Sequence, residues 1–245
     1  MSTASFPSRP VVLRASARHR IGVAYDVAPK RLAPHLPGGL VPDVQAGAGA
    51  VGLVGVHLTG IRVLGIRGVG LRHVPVVELQ AAVRHPPTDR RGLLPLQSYT
   101  SRWLVAWGAR VLYNEPVAAT SMQPVRRTPN NRVVMTYRFD WQGREQRLRV
   151  EGPHEGSEAT NAPSLFVQDG GWRFAAGPDG ALSCAWLERD GGGGWAADTA
   201  HVAVDGQAAF GAVGALLADR VPDATWVGTG GSLALRWRER LADAP

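Results

Sequence analysis

The chain has 245 residues, 44% of them hydrophobic, which is typical of a folded globular protein and argues against general disorder. No apolar stretch approaches the ~20 residues that span a bilayer, and residues 1–10 contain no apolar segment of the signal-peptide kind, so a cytoplasmic location is expected. The single cysteine, Cys184, excludes an intrachain disulfide and a cysteine zinc cluster, and we expect it to pack as a small buried side chain.

The formal net charge is +7, and Lys30 is the sole lysine among 27 basic residues. Guanidinium groups bind phosphates and carboxylates as two-pronged forks, so an arginine excess is compatible with anionic ligands. The arginines are dispersed along the chain instead of forming blocks, which predicts no specific nucleic-acid partner and at most weak, salt-sensitive binding.

Short apolar segments separated by turn residues predict a chain made mainly of strands. The first part contains a predicted strand at Ile21–Asp26 and a short helix within Val27–Gly39, where Pro29 suits the first helical position. Val74–Val83 is apolar on both alternating faces, which predicts a strand covered on both sides. Glu78 is the only charged residue in that strand.

A helix is predicted from Ser101 to about Tyr113, and it ends at Asn114 and Pro116. Its helical wheel places Trp103, Leu104, Trp107 and Val111 on one face, which we expect to pack against the core, with Arg110 at the edge of that face.

The clearest hairpin of the sequence runs from Arg132–Phe139 to Arg144–Val150, because both segments alternate regularly around a turn that ends in Gly143. Further on, Gln207–Arg220 is predicted to be an amphipathic helix and Trp226–Trp237 a final strand. No internal repeat or long linker interrupts the chain, so residues 1–245 are expected to form one domain.

Three segments together resemble a bacterial family of unknown function related to acetoacetate decarboxylase. They are the Pro- and Gly-rich segment Ala28–Gly39, the strand segment Glu78–Gln80, and the helix end Ala109–Arg110 with Pro116 shortly after it. The resemblance covers about residues 20–150. It implies an α+β, mainly β fold, an antiparallel β-barrel or cone with a few packed helices, which holds a pocket for a small molecule.

The sequence also departs from that family. Ala82 stands where the family usually has an arginine, and Val117 where it often has a tyrosine. The decarboxylases place a catalytic lysine in the segment after the middle helix, and Tyr113–Ala119 contains none. Lys30 is expected to be an exposed surface charge, and arginine cannot replace lysine because it stays protonated. Schiff-base decarboxylase chemistry is therefore not expected.

Glu78 is the predicted catalytic residue, because a carboxylate in a doubly covered strand is a candidate general acid or base. The alternative is that it forms a structural ion pair with Arg110 or Arg102. Arg110, His57, Trp103 and Tyr113 are the predicted ligand-binding residues. A metal shared by His57, His73 and Glu78 has no supporting spacing, so neither a metal nor a cofactor is expected.

Two main functions remain open from the sequence, and a weaker third is non-specific nucleic-acid binding through arginines of the predicted hairpin such as Arg138, Arg144, Arg147 and Arg149. The first is an enzyme or enzyme-like pocket for a small anionic organic acid, supported by the resemblance, Glu78 and Arg110. The second is a non-catalytic ligand-binding or interaction protein, supported by the missing lysine and by Ala82. A small-molecule ligand is the expected partner in the first case, no membrane is expected as a partner in either case, and a homo-oligomer is compatible with both.

Overall fold

The computed structural model describes residues 9–67, 71–153, 166, 170–190, 194–205, 209–217, 220–228 and 230–241. Strands dominate this part of the chain, and its α-helices are short. In chain order the elements are β1 (Val11–Val27), α1 (Pro29–Leu32), β2 (Val41–Pro42), β3 (Gly49–Val63), β4 (Ile66–Arg67), β5 (His73–His85), β6 (Arg90–Thr100), α2 (Trp103–Tyr113), β7 (Val117–Ala119), β8 (Met122–Arg127), β9 (Arg132–Trp141), β10 (Arg144–Pro153), β11 (Gly170–Ala176), β12 (Leu182–Asp190), β13 (Gly194–Ala196), β14 (Thr199–Ala203), β15 (Ala224–Gly228), β16 (Gly231–Arg236) and β17 (Glu239–Arg240).

Strands of the larger sheet form a closed circuit, which makes the centre of the fold a barrel. β1 pairs with β16, β16 with β12, β12 with β11, β11 with β6, β6 with β5, β5 with β3, and β3 pairs again with β1. The predicted mainly β, barrel-like architecture is therefore confirmed. A closed circuit removes exposed sheet edges and encloses an interior that inward-facing side chains line.

Two joints depart from the antiparallel pattern of the other pairings, and both involve β6. β11 joins β6 in parallel through the pairs Trp172 with Gly92 and Arg173 with Leu93, and β7 joins the other end of β6, also in parallel. A Cβ atom at position 92 would lie 2.1 Å from the carbonyl oxygen of Trp172, so glycine is needed for this close approach. The β6–β11 joint is thus short and tightly packed.

A second sheet, in the order β14-β10-β9-β8, packs against the outside of the barrel. Strand β5 contributes side chains to both sides of the barrel wall. Val77 and Leu79 are fully buried in the main core together with side chains of the second sheet, while Val76, Glu78 and Gln80 between and beside them face the barrel interior. The hydroxyl of Tyr137 on β9 donates a hydrogen bond to the carbonyl of His19 on β1, at 2.7 Å. The predicted hairpin is confirmed as β9 and β10.

One end of the barrel is filled by large aromatic side chains. Trp226 and Phe166 are almost completely buried there among small residues such as Ala24 and Ala82. Gly22 makes room for the indole, because a Cβ atom at that position would lie 2.4 Å from the ring of Trp226. This packing closes one end of the barrel and forms a floor for the space above it.

Helix α2 packs along the side of that space, but it does so with the face opposite to the predicted one. Trp103, Leu104, Trp107 and Val111 are 67%, 45%, 59% and 51% exposed, so the prediction that they pack against the core is wrong. Val105 and Leu112, on the other side, pack with Val63, Leu71 and other barrel residues. The helix is apolar around most of its circumference, and the small side chain of Ala106, which is 4% exposed, is buried in place of the tryptophans.

The predicted helix Gln207–Arg220 lies only partly within the described residues, because 207–208 and 218–219 lie outside them. Of the described residues, 209–210 are α-helical and Gly211–Leu216 form a 3₁₀ helix. Phe210, Leu216 and Leu217 are buried as the apolar pattern predicted. The early helix likewise consists of α1 followed by a 3₁₀ turn at Ala33–His35.

Candidate ligand cavity

Glu78 lies on the interior face of β5, where the barrel is hollow. Its register partners are Val54 on β3 and Ser98 on β6, and its neighbours on the same face, Val76 and Gln80, border the same cavity. The residue is 8% exposed, and the hydroxyl of Ser98 donates a hydrogen bond to its Oε2 at 3.1 Å. The sequence prediction that this carboxylate is buried in a doubly covered strand is therefore confirmed.

The partner of Glu78 is Arg173 on β11. Nη1 donates to Oε1 of Glu78 at 3.0 Å and Nη2 donates to Oε2 at 2.6 Å. The same guanidinium also binds Glu115, which follows α2: Nε donates to its Oε1, and Nη2 donates to its Oε2 at 2.8 Å. Arg173 therefore holds two carboxylates in two bidentate pairs, a strong and directional arrangement.

This ionic cluster of Glu78, Glu115 and Arg173 is largely shielded from water, because the three side chains are 11%, 9% and 15% exposed. Burial by itself lowers the pKa of Arg173, but the charges of Glu115 and Glu78 outweigh burial and raise the pKa well above its ordinary value. The guanidinium is consequently always protonated, and the cluster as a whole carries one negative charge when both carboxylates are ionised.

A second guanidinium lies above the aromatic floor. Arg20 on β1 is 7% exposed, its side chain stacks 5.2 Å from the ring centroid of Trp226, and Nη2 donates to the carbonyl of Phe166 at 3.1 Å. Arg20 borders the same cavity as Glu78 and Arg173. The stacked guanidinium thus places a second buried positive charge beside the cavity.

The cavity has a volume of about 250 Å³ and is strongly amphipathic. Among the residues that the structure describes, its charged lining consists of three arginines and two glutamates, which sum to one net positive charge: Arg20, Arg173, Arg189, Glu78 and Glu115. Uncharged polar groups come from Gln80, Ser98, Thr100 and Tyr113, and the rest of the lining is almost entirely aliphatic. An apolar cavity with a few converging polar groups is the usual form of a small-molecule site.

Besides Ser98, two further residues of the lining carry buried hydroxyl groups. Thr100 is 0% exposed, and its Oγ1 has no hydrogen-bond partner among the described residues. Tyr113, at the end of α2, donates its hydroxyl to the carbonyl of Arg236 at 3.3 Å, and burial raises its pKa, so the phenol stays neutral. An unpaired buried hydroxyl costs free energy, and a polar ligand atom would remove that cost for Thr100.

Of the five residues predicted for the site, the structure brings Glu78 and Tyr113 to the cavity and places the other three elsewhere. Arg110 is exposed on α2, and its Nε donates to the carbonyl of Val117 at 2.5 Å. The predicted pairing of Glu78 with Arg110 is therefore wrong, because Arg173 occupies that position. Trp103 faces outward from α2, away from the cavity.

His57 does not border the cavity either. Its ring lies 5.4 Å from that of His73, and its pKa is lowered by burial and by the nearby charges of His73 and Arg18. Within the described ranges, no three His, Cys, Asp or Glu side chains are arranged to hold a metal ion.

Sequence reasoning missed Arg173, Glu115, Arg20 and Thr100. Arg173 lies 95 positions from Glu78, in a segment with weak family resemblance, so only the topology reveals the pairing. A signal existed for Glu115, which is a lone acid between a predicted helix and Pro116.

Lys30 is exposed on α1 and does not border the cavity. None of the described helices has the length and apolar character needed to cross a membrane.

Comparisons with known proteins agree with this architecture. A search of curated protein sequences gave no match. An acetoacetate decarboxylase-like enzyme from Sphingomonas wittichii RW1 superposes with a TM-score of 0.65 at 17% identity, covering 100% of both chains. Acetoacetate decarboxylase from Legionella pneumophila gives a TM-score of 0.67 at 12% identity, covering 99% of this chain and 92% of the other.

A third similar structure is the enduracididine biosynthesis enzyme MppR in complex with pyruvate. Its TM-score is 0.62 at 14% identity, with 98% of this chain and 94% of the other covered. At such identities these matches show that the fold is of the acetoacetate decarboxylase-like type. The family model described as DUF2071, an uncharacterized conserved protein, matches residues 14–172, and the chain belongs to that family.

Proposed function

We propose that this protein is an enzyme-like barrel that binds a small organic acid in the cavity, and that it does so without Schiff-base chemistry. The observation that carries the proposal is the lining: an aliphatic cavity with one net positive charge, whose polar groups include Arg20 and the ionic cluster. MppR, which shares the fold, has been solved with pyruvate, a small anionic oxo acid.

The expectation that no imine forms is supported by the position of the lysine side chain. Lys30 is the only lysine of the chain, and it lies on the protein surface, away from the cavity. A Schiff base needs an uncharged amine beside the substrate carbonyl, and the guanidinium groups that border the cavity cannot supply one. The carboxylates of Glu78 and Glu115 are the groups that could exchange a proton with a ligand there.

Two experiments test the two parts of this proposal. Saturation-transfer NMR should detect acetoacetate and should give a much weaker signal with its neutral methyl ester. Arg20→Gln should reduce the acetoacetate signal, whereas the control Arg144→Gln, on a surface arginine that is 69% exposed, should not. Equal binding of acid and ester would refute recognition of the anion.

The imine is tested by incubating the protein with acetoacetate and borohydride and then measuring the intact mass. We expect no adduct, and Lys30→Arg should behave as the parent does. A stable adduct mapped to Lys30 would overturn this part of the proposal.

A second candidate function is ligand binding without catalysis, and one observation favours it. Arg173 engages both oxygens of Glu78 and both oxygens of Glu115, so neither carboxylate is left without a counter-ion to act as a strong base. Deuterium exchange at carbon 3 of a bound 2-oxo acid, the carbon next to the ketone, distinguishes the two candidates. Exchange that Glu78→Gln abolishes, with binding retained, supports catalysis, and no exchange in the parent protein supports a binding protein.

A further inference from the structure

We propose that the exposed face of α2, together with the tip of the β3–β4 hairpin beside it, docks onto a membrane surface that contains anionic lipids. This surface lies on the outside of the barrel, so the inference is independent of the proposed function of the cavity. Three features support it: the concentration of exposed apolar side chains, the arginines around them and the absence of acids from both segments.

Exposed apolar side chains are concentrated on these two elements. Among the described residues ten large apolar side chains are exposed, and Leu64 and Ile66 at the hairpin tip are 66% and 75% exposed. Six of the ten lie on the two elements: Trp103, Leu104, Trp107, Val111, Leu64 and Ile66. Single apolar side chains on a surface are ordinary, whereas a concentration of this kind marks a binding surface.

The two elements are neighbours in the fold. Leu112, on the inner side of α2, packs in the same cluster as Val63, which precedes the hairpin tip. Val105, also on the inner side, packs in a cluster with Val63 and Leu71. The helix therefore lies against the base of the hairpin, and the exposed apolar side chains of both elements lie in the same region of the surface.

Arginines flank these apolar side chains. Arg62 and Arg67 lie on either side of the hairpin tip, Arg102 immediately precedes α2, and Arg110 lies next to Trp103 on the helical wheel. All four arginines are exposed, and none of them forms an ion pair with an acid of the described residues.

The segments that form this surface contain no acid. Residues 59–77 and 100–114, which include both elements, have neither aspartate nor glutamate. On the β9–β10 hairpin, by contrast, Arg144, Arg147 and Arg149 each pair with a carboxylate. The positive charge of the molecule is thus compensated on that hairpin and remains available around α2.

This combination of groups suits an anionic lipid surface better than other partners. Tryptophan and arginine both bury an apolar body while a polar end stays at the lipid headgroups, and guanidinium groups bind phosphates. A second copy of the chain in a symmetric dimer would place each set of arginines against its own equivalent, with no acid of these segments to offset the repulsion. A nucleic acid would stack on the tryptophans but would gain nothing from the aliphatic side chains beside them.

The expectation that no membrane is a partner rests on the lack of an apolar segment that could span a bilayer. A helix that lies on the membrane surface needs no such segment. At about 1.5 Å per residue, α2 presents about 16 Å of apolar face parallel to that surface. The proposed contact is therefore attachment to the surface of a membrane.

The test is flotation of the full-length protein with vesicles of phosphatidylcholine alone, or of phosphatidylcholine with about one third phosphatidylglycerol. The protein should float with the anionic vesicles and much less with the neutral ones, and added salt should weaken binding because it screens the arginines. The double variant Trp103→Gln, Trp107→Gln should lower the partition coefficient at least about tenfold, because the burial of two indole rings is lost. The control Val221→Gln, at an 84% exposed position, should bind as the parent does.

The contribution of charge is measured separately. The double variant Arg67→Gln, Arg102→Gln should lower the partition coefficient by about fivefold for each arginine. Its control, Arg144→Gln, Arg147→Gln, removes the same net charge from the β9–β10 hairpin and should have little effect. If the tryptophan variant does not fold, Leu64→Gln, Ile66→Gln at the hairpin tip tests the apolar contact in its place.

Four results would overturn the inference. The first is a parent protein that does not float with anionic vesicles at low salt, and the second is unchanged flotation of a folded tryptophan or hairpin-tip variant. The third is a dimer of the parent in sedimentation velocity that the tryptophan variant dissociates, since a second copy would then cover α2. The fourth is tighter binding to a single-stranded oligonucleotide than to anionic vesicles, lost in the tryptophan variant, which would identify a nucleic-acid surface.

Discussion

The ionic cluster allows a quantitative prediction, because its three members are buried together and share one guanidinium. Arg173→Met removes the charge, keeps most of the side-chain volume and leaves Glu78 and Glu115 buried without their counter-ion. Removing one partner of a buried ion pair typically costs about 3–5 kcal/mol. We therefore expect the free energy of unfolding of Arg173→Met to be lower than that of the parent by at least about 3–5 kcal/mol at neutral pH.

The decrease in the free energy of unfolding should depend on which charges of the cluster remain. The triple variant Arg173→Met, Glu78→Gln, Glu115→Gln has no unpaired charge, so it should be more stable than Arg173→Met alone and its loss should be smaller than the sum of the single losses. Lowering the pH should narrow the gap between Arg173→Met and the parent, since protonated carboxyl groups no longer need a counter-ion.

Urea unfolding of the parent, the single variants and the triple variant measures these differences. The matched control is Arg144→Met, which breaks an ion pair with Asp205 whose side chains are 69% and 41% exposed, and this change should cost no more than about 1 kcal/mol. Strictly additive losses within the cluster, or an Arg173→Met variant as stable as the control, would refute the reasoning.

Three further predictions concern the rest of the molecule. Gly92→Ala should destabilise the protein by several kcal/mol in thermal melts, because the new methyl group would lie 2.1 Å from a backbone oxygen. The control Gly108→Ala in α2 places a methyl group with nothing within 4 Å and should stabilise the protein by up to about 1 kcal/mol. Equal melting temperatures for the two variants would contradict the close approach at Gly92. Cys184 should react slowly with iodoacetamide in the folded state and rapidly in urea, since it is 1% exposed and burial raises the pKa of its thiol; rapid labelling of the folded protein would contradict its burial. DNA and RNA should bind weakly in fluorescence anisotropy and lose affinity steeply between 50 and 200 mM salt, and tight, sequence-dependent binding at 200 mM salt would count against the expectation.

The expectation that nucleic acids bind only weakly is supported by the ion pairs that the arginines of the β9–β10 hairpin form. Arg144, Arg147 and Arg149 form salt bridges with Asp205, Glu145 and Glu151 on the β9–β10 hairpin and the residues beside it. Their charge is thus largely compensated by neighbouring acids, so the basic surface that the sequence suggests is weaker than the composition implies.

Local patterns predicted the strands well. The β9–β10 hairpin and the doubly covered strand β5 follow from alternation and from a single charge in an apolar run, because in both cases adjacent residues in the sequence determine the outcome. The burial of Glu78 could be predicted for the same reason.

Pairings between distant segments could not be predicted in this way. The partner of Glu78 is supplied by a parallel contact between β6 and β11, and nothing in the sequence distinguishes Arg173 from the other arginines. The prediction of which face of α2 is buried was wrong for a different reason. A helix that is apolar on most sides has no unique inner face, and the fit of small side chains against the barrel decides which side is buried.

The joint between β6 and β11 has a consequence for how the barrel responds to its contents. Among the described residues two ladder pairs join these strands, and Arg173, a member of one pair, also forms ion pairs with Glu78 on β5 and Glu115 beside β7. Arg173 therefore both borders the cavity and belongs to the short joint between β6 and β11. Ligand binding in the cavity and opening of this joint are thermodynamically linked. A compound that makes the joint harder to open must therefore bind more strongly to the closed barrel than to a barrel in which β6 and β11 have separated.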